Sequence, residues 1–228
     1  MSEQPGQQDS HRDLSCVPLF PLPNVVLFPR AVLPLHIFEE RYKAMTADAV
    51  AGDRQIAMAL LMPGWEKNYY HRPTIEPVVC VGTILSHEKL PDGKYNFLLQ
   101  GHTRARVVRE VGDKPYRQAE LEPIPITNGL EIDLEEERRR LARVFRPGTL
   151  GATPAGRQFR RLLESHLPTS DVADLIAFNY VEDVALKQSL LEDADVRRRV
   201  RRIIEAVEAS QPALQLSYLR DAADTDLN

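Results

Sequence analysis

The spacing of hydrophobic residues changes along the chain, and each spacing predicts a different kind of element. Residues 17–35 are largely apolar but contain five prolines: Pro18, Pro21, Pro23, Pro29 and Pro34. Because proline fixes φ and has no backbone donor, this segment is expected to form short extended pieces joined by rigid corners. Helical spacing follows in four apolar residues: Phe38, Tyr42, Met45 and Ala49. These residues predict a first helix over 37–50.

Apolar runs separated by turn residues predict a sheet in the rest of the first half. The predicted strands cover residues 56–62, 78–90, 95–99, 104–111 and 117–124. Pro91-Asp-Gly supplies a turn between two of them, and Gly101 is expected to end the strand that follows this turn. Strands joined by such short turns favour an antiparallel, barrel-like sheet.

From Glu131 onward the apolar spacing is that of helices. The pattern predicts a helix from Glu131, a second around Phe159, a third over 172–180 and a fourth that opens near Asp193. One face of the fourth helix carries Val196, Val200, Ile203, Ile204 and Val207. Amphipathic helices of this kind are typical of a small helical bundle.

The two halves together predict an α+β fold. An N-terminal antiparallel pseudo-barrel of about six strands and one helix is expected over 14–127, followed by a C-terminal helical bundle over 128–210. Polar residues 1–13 predict a disordered tail, and residues 211–228 are expected to form a C-terminal tail.

The composition is that of an ordinary globular protein, with 43% hydrophobic and 27% charged residues. The net charge of −4 argues against bulk binding to nucleic acid or to an anionic membrane. Cys16 and Cys80 are expected to be buried, reduced thiols, as in a reducing cytosol. No apolar run reaches the roughly 18 residues of a membrane helix, and the polar N-terminus has no secretory signal. We therefore expect a cytoplasmic protein.

Several stretches resemble one known family. Pro18-Leu-Phe-Pro-Leu-Pro-Asn-Val-Val-Leu-Phe-Pro and Leu33-Pro-Leu-His-Ile-Phe-Glu-Glu-Arg-Tyr are similar to the opening of the LON N-terminal domain family. Val81-Gly-Thr-Ile, the hairpin over 90–104 and the segment 187–197 resemble the same family. This family is the substrate-binding domain at the front of ATP-dependent LON proteases, and it also occurs as free-standing bacterial proteins. The resemblance implies a PUA-like pseudo-barrel.

The resemblance also implies a binding function without catalysis. The chain has no Gly-x-x-x-x-Gly-Lys-Ser/Thr motif, which an ATPase module needs to hold phosphates, and no counterpart of the family's serine–lysine protease module. We therefore expect no enzyme activity and no cofactor. The implied partners are unfolded or flexible polypeptide clients, with a protease or ATPase acting in trans. An adaptor role in protein quality control would fit, and the oligomeric state is left open.

The segment between two prolines, Pro63 and Pro77, carries the candidate binding residues. They are Trp65, Tyr69, Tyr70 and His71. Aromatic side chains with a polar tip are enriched where proteins contact other proteins. We expect a client to dock beside these residues, in a groove between barrel and bundle. The alternative is that Trp65 and one tyrosine fold back as a lid on the barrel.

The remaining residue patterns favour no active site. None of the six histidines forms a His-x-x-x-His pair, and the cysteines form no Cys-x-x-Cys, so no metal site is predicted. Ser86, His87 and Glu88 are the residue types of a catalytic triad. Because neighbours along a strand point to opposite faces, these three are not expected to converge.

Two arginine-rich segments leave a nucleic-acid alternative open. In residues 197–202 the arginines flank an apolar helix face, so they are expected on the solvated side. Arg104, Arg106 and Arg109 are the best candidates for a basic strip, and a PUA-like barrel suggests RNA as its ligand. A structural homo-oligomer is a further alternative, and it would need a large apolar patch buried by a second copy.

Overall fold

The computed structural model describes residues 13–69, 71–147 and 149–225, with side chains up to residue 210. The predicted N-terminal tail, residues 1–13, lies outside the described residues except for Asp13. The division into a barrel at 14–127 and a bundle at 128–210 stays a prediction.

Six strands form the sheet of the first half. They are β1 Val17–Leu22, β2 Val32–Ile37, β3 Gln55–Leu60, β4 Val78–Lys89, β5 Tyr95–Val111 and β6 Arg117–Pro123. The strand order is β2-β5-β4-β3-β1-β6, and β6 also pairs with β5, so five of the six strands close into a barrel. The predicted α+β class is confirmed. One pair departs from the antiparallel prediction: β1 and β3 are parallel, because β2 and a helix lie between them as a crossover connection.

Small side chains fill the inside of the barrel. All five closing strands contribute to one buried cluster, which consists of Val17, Leu19, Ala57, Ala59, Val79, Val81, Ala105, Ala119 and Leu121. A five-stranded barrel has a narrow interior, which suits alanine and valine, and seven of these nine residues are of those two types. The larger apolar residues therefore lie outside the barrel, where helices cover them.

Strand β5 runs straight through the glycine that was expected to end it. Gly101 faces Gly82 of β4, and a Cβ on Gly101 would lie 2.2 Å from the carbonyl oxygen of Phe28. The missing side chain lets the turn after Phe28 cross the strand at close range, and Gly101 donates a backbone hydrogen bond to Ala31. One long strand results: its first part pairs with β2 and its second part with β6.

The first helix, α1 Glu40–Ala51, begins later than predicted. Residues up to Ile37 pair with β5 as strand β2, so the helix cannot include them. Phe38 was expected on the buried helix face, but it precedes the helix and is 60% exposed. The rest of the predicted face, Tyr42, Met45 and Ala49, is buried.

The region from residue 131 to 210 is mainly helical, as predicted, but residues 211–225, which were expected to form a tail, continue the last helix. After a short 3-10 turn the helices are α2 Glu135–Val144, α3 Pro154–Glu164, α4 Thr169–Tyr180, α5 Val184–Glu192 and α6 Val196–Thr225. All five predicted apolar residues of the last helix are buried. Helix α5 was not predicted. Its N-cap is Asp183, whose carboxylate accepts a hydrogen bond from the Leu186 amide at 2.8 Å.

The two thiols differ in exposure, which corrects the expectation that both are buried. Cys16 is exposed, whereas Cys80 is buried on β4, and burial raises the pKa of the Cys80 thiol to about 12. Because the thiolate is the reactive form, we expect iodoacetamide to label only Cys16 in the native protein at neutral pH. Mass spectrometry would count the labels, and Cys80 should react after unfolding. Rapid labelling of Cys80 without unfolding would contradict this placement.

Candidate polypeptide-binding groove

A groove lies where the barrel meets helix α5, and its volume is about 400 Å³. Its apolar lining comes from both halves of the chain: Pro23, Leu60, Leu61, Pro63, Trp65 and Val184. We call the segment between Pro63 and Pro77 the aromatic loop. Polar residues complete the lining on the helix side and at the end of this loop: Glu76, Gln188, Ser189 and Glu192. An apolar floor with a few polar groups is the usual make-up of a ligand-binding site.

The buried side chain of Gln188 helps to hold helix α5 against the barrel. Gln188 donates its amide N–H to the carbonyl oxygen of Val78, the first residue of β4, at 2.9 Å. The same nitrogen lies 3.0 Å from a carboxylate oxygen of Glu192. This contact fixes the helix that forms one wall of the groove. Sequence reasoning missed this wall, although Asp183 followed by Val184, in cap position before apolar residues, is a signal that could have found it.

A buried ionic cluster joins the barrel to the bundle beneath this wall. Arg104 of β5 donates to a carboxylate oxygen of Asp174 in α4 at 2.5 Å, and Arg199 of α6 donates to the same oxygen at 3.1 Å. The exposed fractions of the side chains are 4% for Arg104, 2% for Asp174 and 0% for Arg199. In addition, Arg104 donates through Nε to the carbonyl oxygen of Leu191 at 3.1 Å, and Arg199 donates through Nη1 to that of Asp193 at 2.6 Å. The cluster therefore ties β5, α4, α6 and the end of α5 together.

The aromatic loop leaves the barrel after β3 and returns to it before β4, and hydrogen bonds fix both of its ends. Its two ends are paired, since the Met62 amide donates to Thr74 at 2.9 Å and the Glu76 amide donates to Leu60 at 2.8 Å. Gly64, at φ 90°, precedes a 3-10 turn over Trp65–Asn68. Such a positive φ suits glycine, which has no Cβ to clash.

The structure brings two of the predicted binding residues together. The rings of Trp65 and Tyr69 are 5.5 Å apart in an edge-to-face arrangement. The Tyr69 hydroxyl donates to Glu39 at 2.6 Å, and the Arg41 guanidinium lies 4.9 Å from the centre of the Tyr69 ring. Burial, followed by the hydrogen bond to Glu39, raises the pKa of Tyr69. Tyr69 thus anchors the loop to the start of α1 and supports Trp65 at the groove.

The other two predicted binding residues are placed differently. Tyr70 lies outside the described residues. His71 is exposed and lines a separate cavity of about 450 Å³, together with basic residues that include Arg41, Lys114 and Arg117. Trp65 and His71 therefore face different cavities.

The three arginines proposed as a nucleic-acid strip do not form one exposed surface. Ala105 lies inside the barrel, so its neighbours Arg104 and Arg106 both point outward. The bundle covers Arg104, while Arg106 and Arg109 are exposed and Arg109 pairs with Glu120 at 2.7 Å. A similar correction applies to the arginines of residues 197–202, which were expected on the solvated side, because Arg199 is fully buried.

A second apolar surface lies on the far part of the sheet. Its exposed side chains are Val32, Pro34, Phe38, Leu85 and Leu98. Pro34 faces Leu98 across the β2–β5 pair, and no other described strand pairs with β2. We call these five residues the sheet face. The sheet face is an alternative surface on which an apolar ligand could dock.

Two further findings concern metals and membranes. Among the residues that the structure describes, no group of three or more His, Cys, Asp or Glu side chains is arranged to hold a metal ion. In the same part of the chain, no helix has the length and hydropathy needed to cross a membrane.

The fold and the groove define a class of module in which a small closed barrel and a helical bundle share one core and form a ligand-sized groove between them. Comparison with known proteins identifies the family. The family model described as the ATP-dependent protease La (LON) substrate-binding domain matches residues 16–209, and this chain belongs to that family. The predicted resemblance is confirmed.

Relatives and solved structures agree with this assignment. Lon protease 2 of Sorangium cellulosum is 30% identical over 86% of this chain, and Lon protease 2 of Myxococcus xanthus is 29% identical over 91%. The chain spans 25% of the length of each of these relatives.

Two solved structures share the fold. The N-terminal domain of the Mycobacterium avium complex Lon protease superimposes with a TM-score of 0.66 at 18% identity, covering 85% of this chain and 98% of that one. A Lon N-terminal domain protein from Xanthomonas campestris gives 0.61 at 21% identity, covering 84% and 98% respectively.

Proposed function

We propose that this chain binds unfolded or flexible segments of other polypeptides in the groove between the barrel and α5. The observation that carries the proposal is the apolar groove of about 400 Å³ with Trp65 in its lining. Membership of a substrate-binding domain family supports it. The domain that defines this family binds substrate and is not catalytic, and the proposal assigns no catalytic step to this chain.

The size and walls of the groove favour an extended segment over a folded partner. Its volume lies near the lower end of the roughly 300–1,000 Å³ typical of ligand pockets, so it accommodates a few side chains. Leu60 on the barrel side and Val184 on the helix side would contact them from opposite walls. Trp65 provides the large rigid surface that often contributes most to binding.

A single groove of this size gives weak binding, because association costs rotational and translational freedom. Several copies acting on one client would raise the avidity without new contacts. We propose that the chain acts as an adaptor in protein quality control, holding a client while a protease or ATPase acts in trans. The match to Lon proteases supports such a partner.

Replacing Trp65 by alanine should weaken peptide binding by about tenfold or more, since truncation of a central tryptophan removes a typical hot spot. The measurement is the fluorescence anisotropy of a labelled, unstructured peptide rich in leucine and phenylalanine. Thermal melts of wild type and variant would establish that both are folded.

The matched control is Leu98→Ala, which truncates an exposed residue of the sheet face and leaves the groove intact. Peptide affinity should be close to that of the wild type. If Leu98→Ala loses binding while Trp65→Ala retains it, the client docks on the sheet face and the groove proposal is wrong.

A further inference from the structure

The groove carries two acidic side chains without basic partners. Glu76 and Glu192 both line it, and neither forms an ion pair with any described residue. Glu76 is at the end of the aromatic loop and Glu192 at the end of α5, so they come from the two opposite walls. Partial burial, followed by the nearby charge of Glu192, raises the pKa of Glu76.

This arrangement contrasts with the acidic residues nearby. Asp193, next in sequence to Glu192, forms an ion pair with Arg198 at 2.7 Å, and Asp174 binds two arginines. The basic residue close to the groove wall, Arg202, donates to the Ser189 side chain at 2.6 Å and lies 3.7 Å from Asp193. It is therefore held by other partners. No described basic side chain therefore forms an ion pair with Glu76 or Glu192, and both carboxylates are available to a cationic ligand.

We infer that the groove selects extended polypeptide segments in which a lysine or arginine has apolar residues two positions away on either side. This inference rests on the proposed function and names the class of client. The apolar neighbours would occupy the surface between Leu60 and Val184, and the cationic group would lie between Glu76 and Glu192. An extended chain places alternate side chains on opposite faces, so residues two apart would share the groove.

Two attractions support the cationic side chain in this position. Opposite charges that approach within a few ångströms attract each other, and the partly apolar surroundings of the groove strengthen this attraction relative to bulk water. The Trp65 ring adds a π-face in the same lining, and tryptophan is the aromatic residue that binds cations best. A glutamate in the client would meet two like charges and be rejected.

The experiment uses three capped synthetic peptides that differ only at a central residue, which is lysine, glutamine or glutamate, with leucine two positions before it and two positions after it. Trp65 is the only tryptophan of the chain, so its fluorescence reports directly on entry into the groove. We expect the lysine peptide to bind about fivefold more tightly than the glutamine peptide, and the glutamate peptide to bind more weakly than both. Added salt should reduce the difference.

The double variant Glu76→Gln/Glu192→Gln should bind all three peptides about equally, because both changes remove the negative charge and conserve shape. Glu66→Gln is the matched control, since Glu66 is an exposed acidic residue beside Trp65 outside the groove lining, and it should keep the preference. Equal binding of all three peptides by the wild type would overturn the charge selection and leave the proposed function standing. If no peptide changes the Trp65 fluorescence and none binds by fluorescence anisotropy, both the charge selection and the proposed function are wrong.

Discussion

Replacing Asp174 by alanine is expected to lower the free energy of unfolding by about 3–5 kcal/mol, because two buried guanidinium groups then lack their counter-charge. Arg104 and Arg199 approach one Asp174 oxygen from the barrel and from α6, and both arginines are buried. Urea denaturation followed by circular dichroism would measure the change. The loss should appear as a shift in midpoint with little change in slope.

Asp171→Ala is the matched control for this prediction, since Asp171 lies one turn earlier on the same helix. Its ion pair with Arg30 is similar in length, 2.9 Å, but the Arg30 side chain is 62% exposed. An exposed pair of this kind contributes at most about 1 kcal/mol. If both variants lose equal stability, the buried cluster does not fix the bundle to the barrel.

The cluster also has a consequence for binding. Arg104 and Arg199 hold the carbonyl oxygens of Leu191 and Asp193, which lie at the end of α5 and just beyond it. Helix α5 forms one wall of the groove, so loss of the cluster should disturb the groove as well as the stability. Partial loss of peptide affinity in a folded Asp174 variant would follow from this connection.

The sequence predicts those parts of the fold that depend on local patterns. The alternation of Tyr95, Phe97 and Leu99 identifies a strand with one buried face, and the apolar series of α6 identifies a buried helix face. Both patterns follow from the geometry of a single element against a core. Local information is enough for them.

Contacts between distant residues could not be predicted in this way. Arg104 and Asp174 are 70 positions apart, and nothing near either residue indicates the other. The sequence placed Arg104 in a surface strip and Arg199 on a solvated helix face, because an arginine is normally exposed. The parallel pairing of β1 with β3 is a similar case, since it depends on where the intervening crossover packs.

Of the residues that line the groove, the sequence indicated Trp65 but not the polar residues Glu76, Gln188 and Glu192. Trp65 stood out because it is an aromatic residue in a polar loop between prolines, and the structure places it in the groove. Glu76, Gln188 and Glu192 have no such signal, because their importance comes from the packing of α5 against β4. His71 shares the loop with Trp65 but faces another cavity, because the loop turns between them.

Gly101→Ala is expected to cost about 3 kcal/mol of stability, near the upper end for overpacking a well-packed site. The added Cβ would lie 2.2 Å from the Phe28 carbonyl oxygen and 2.9 Å from its carbon, and backbone atoms cannot rotate away as a flexible side chain can. The turn cannot simply move off, because Arg30 donates to the Gly101 carbonyl at 2.8 Å and Gly101 donates to Ala31 at 2.9 Å. Urea denaturation would again provide the measurement.

Gly52→Ala is the control, because Gly52 has a negative φ and a Cβ there would meet its nearest neighbour at 3.4 Å. This change should cost much less than Gly101→Ala, because the added Cβ makes only ordinary van der Waals contacts. The contrast tests a specific claim: the turn after Phe28 packs directly on β5 and thereby covers the strand just before Arg104. Equal stability of the two variants would mean that the turn lies farther from the strand, and Arg104 would then lose part of the cover that keeps it buried.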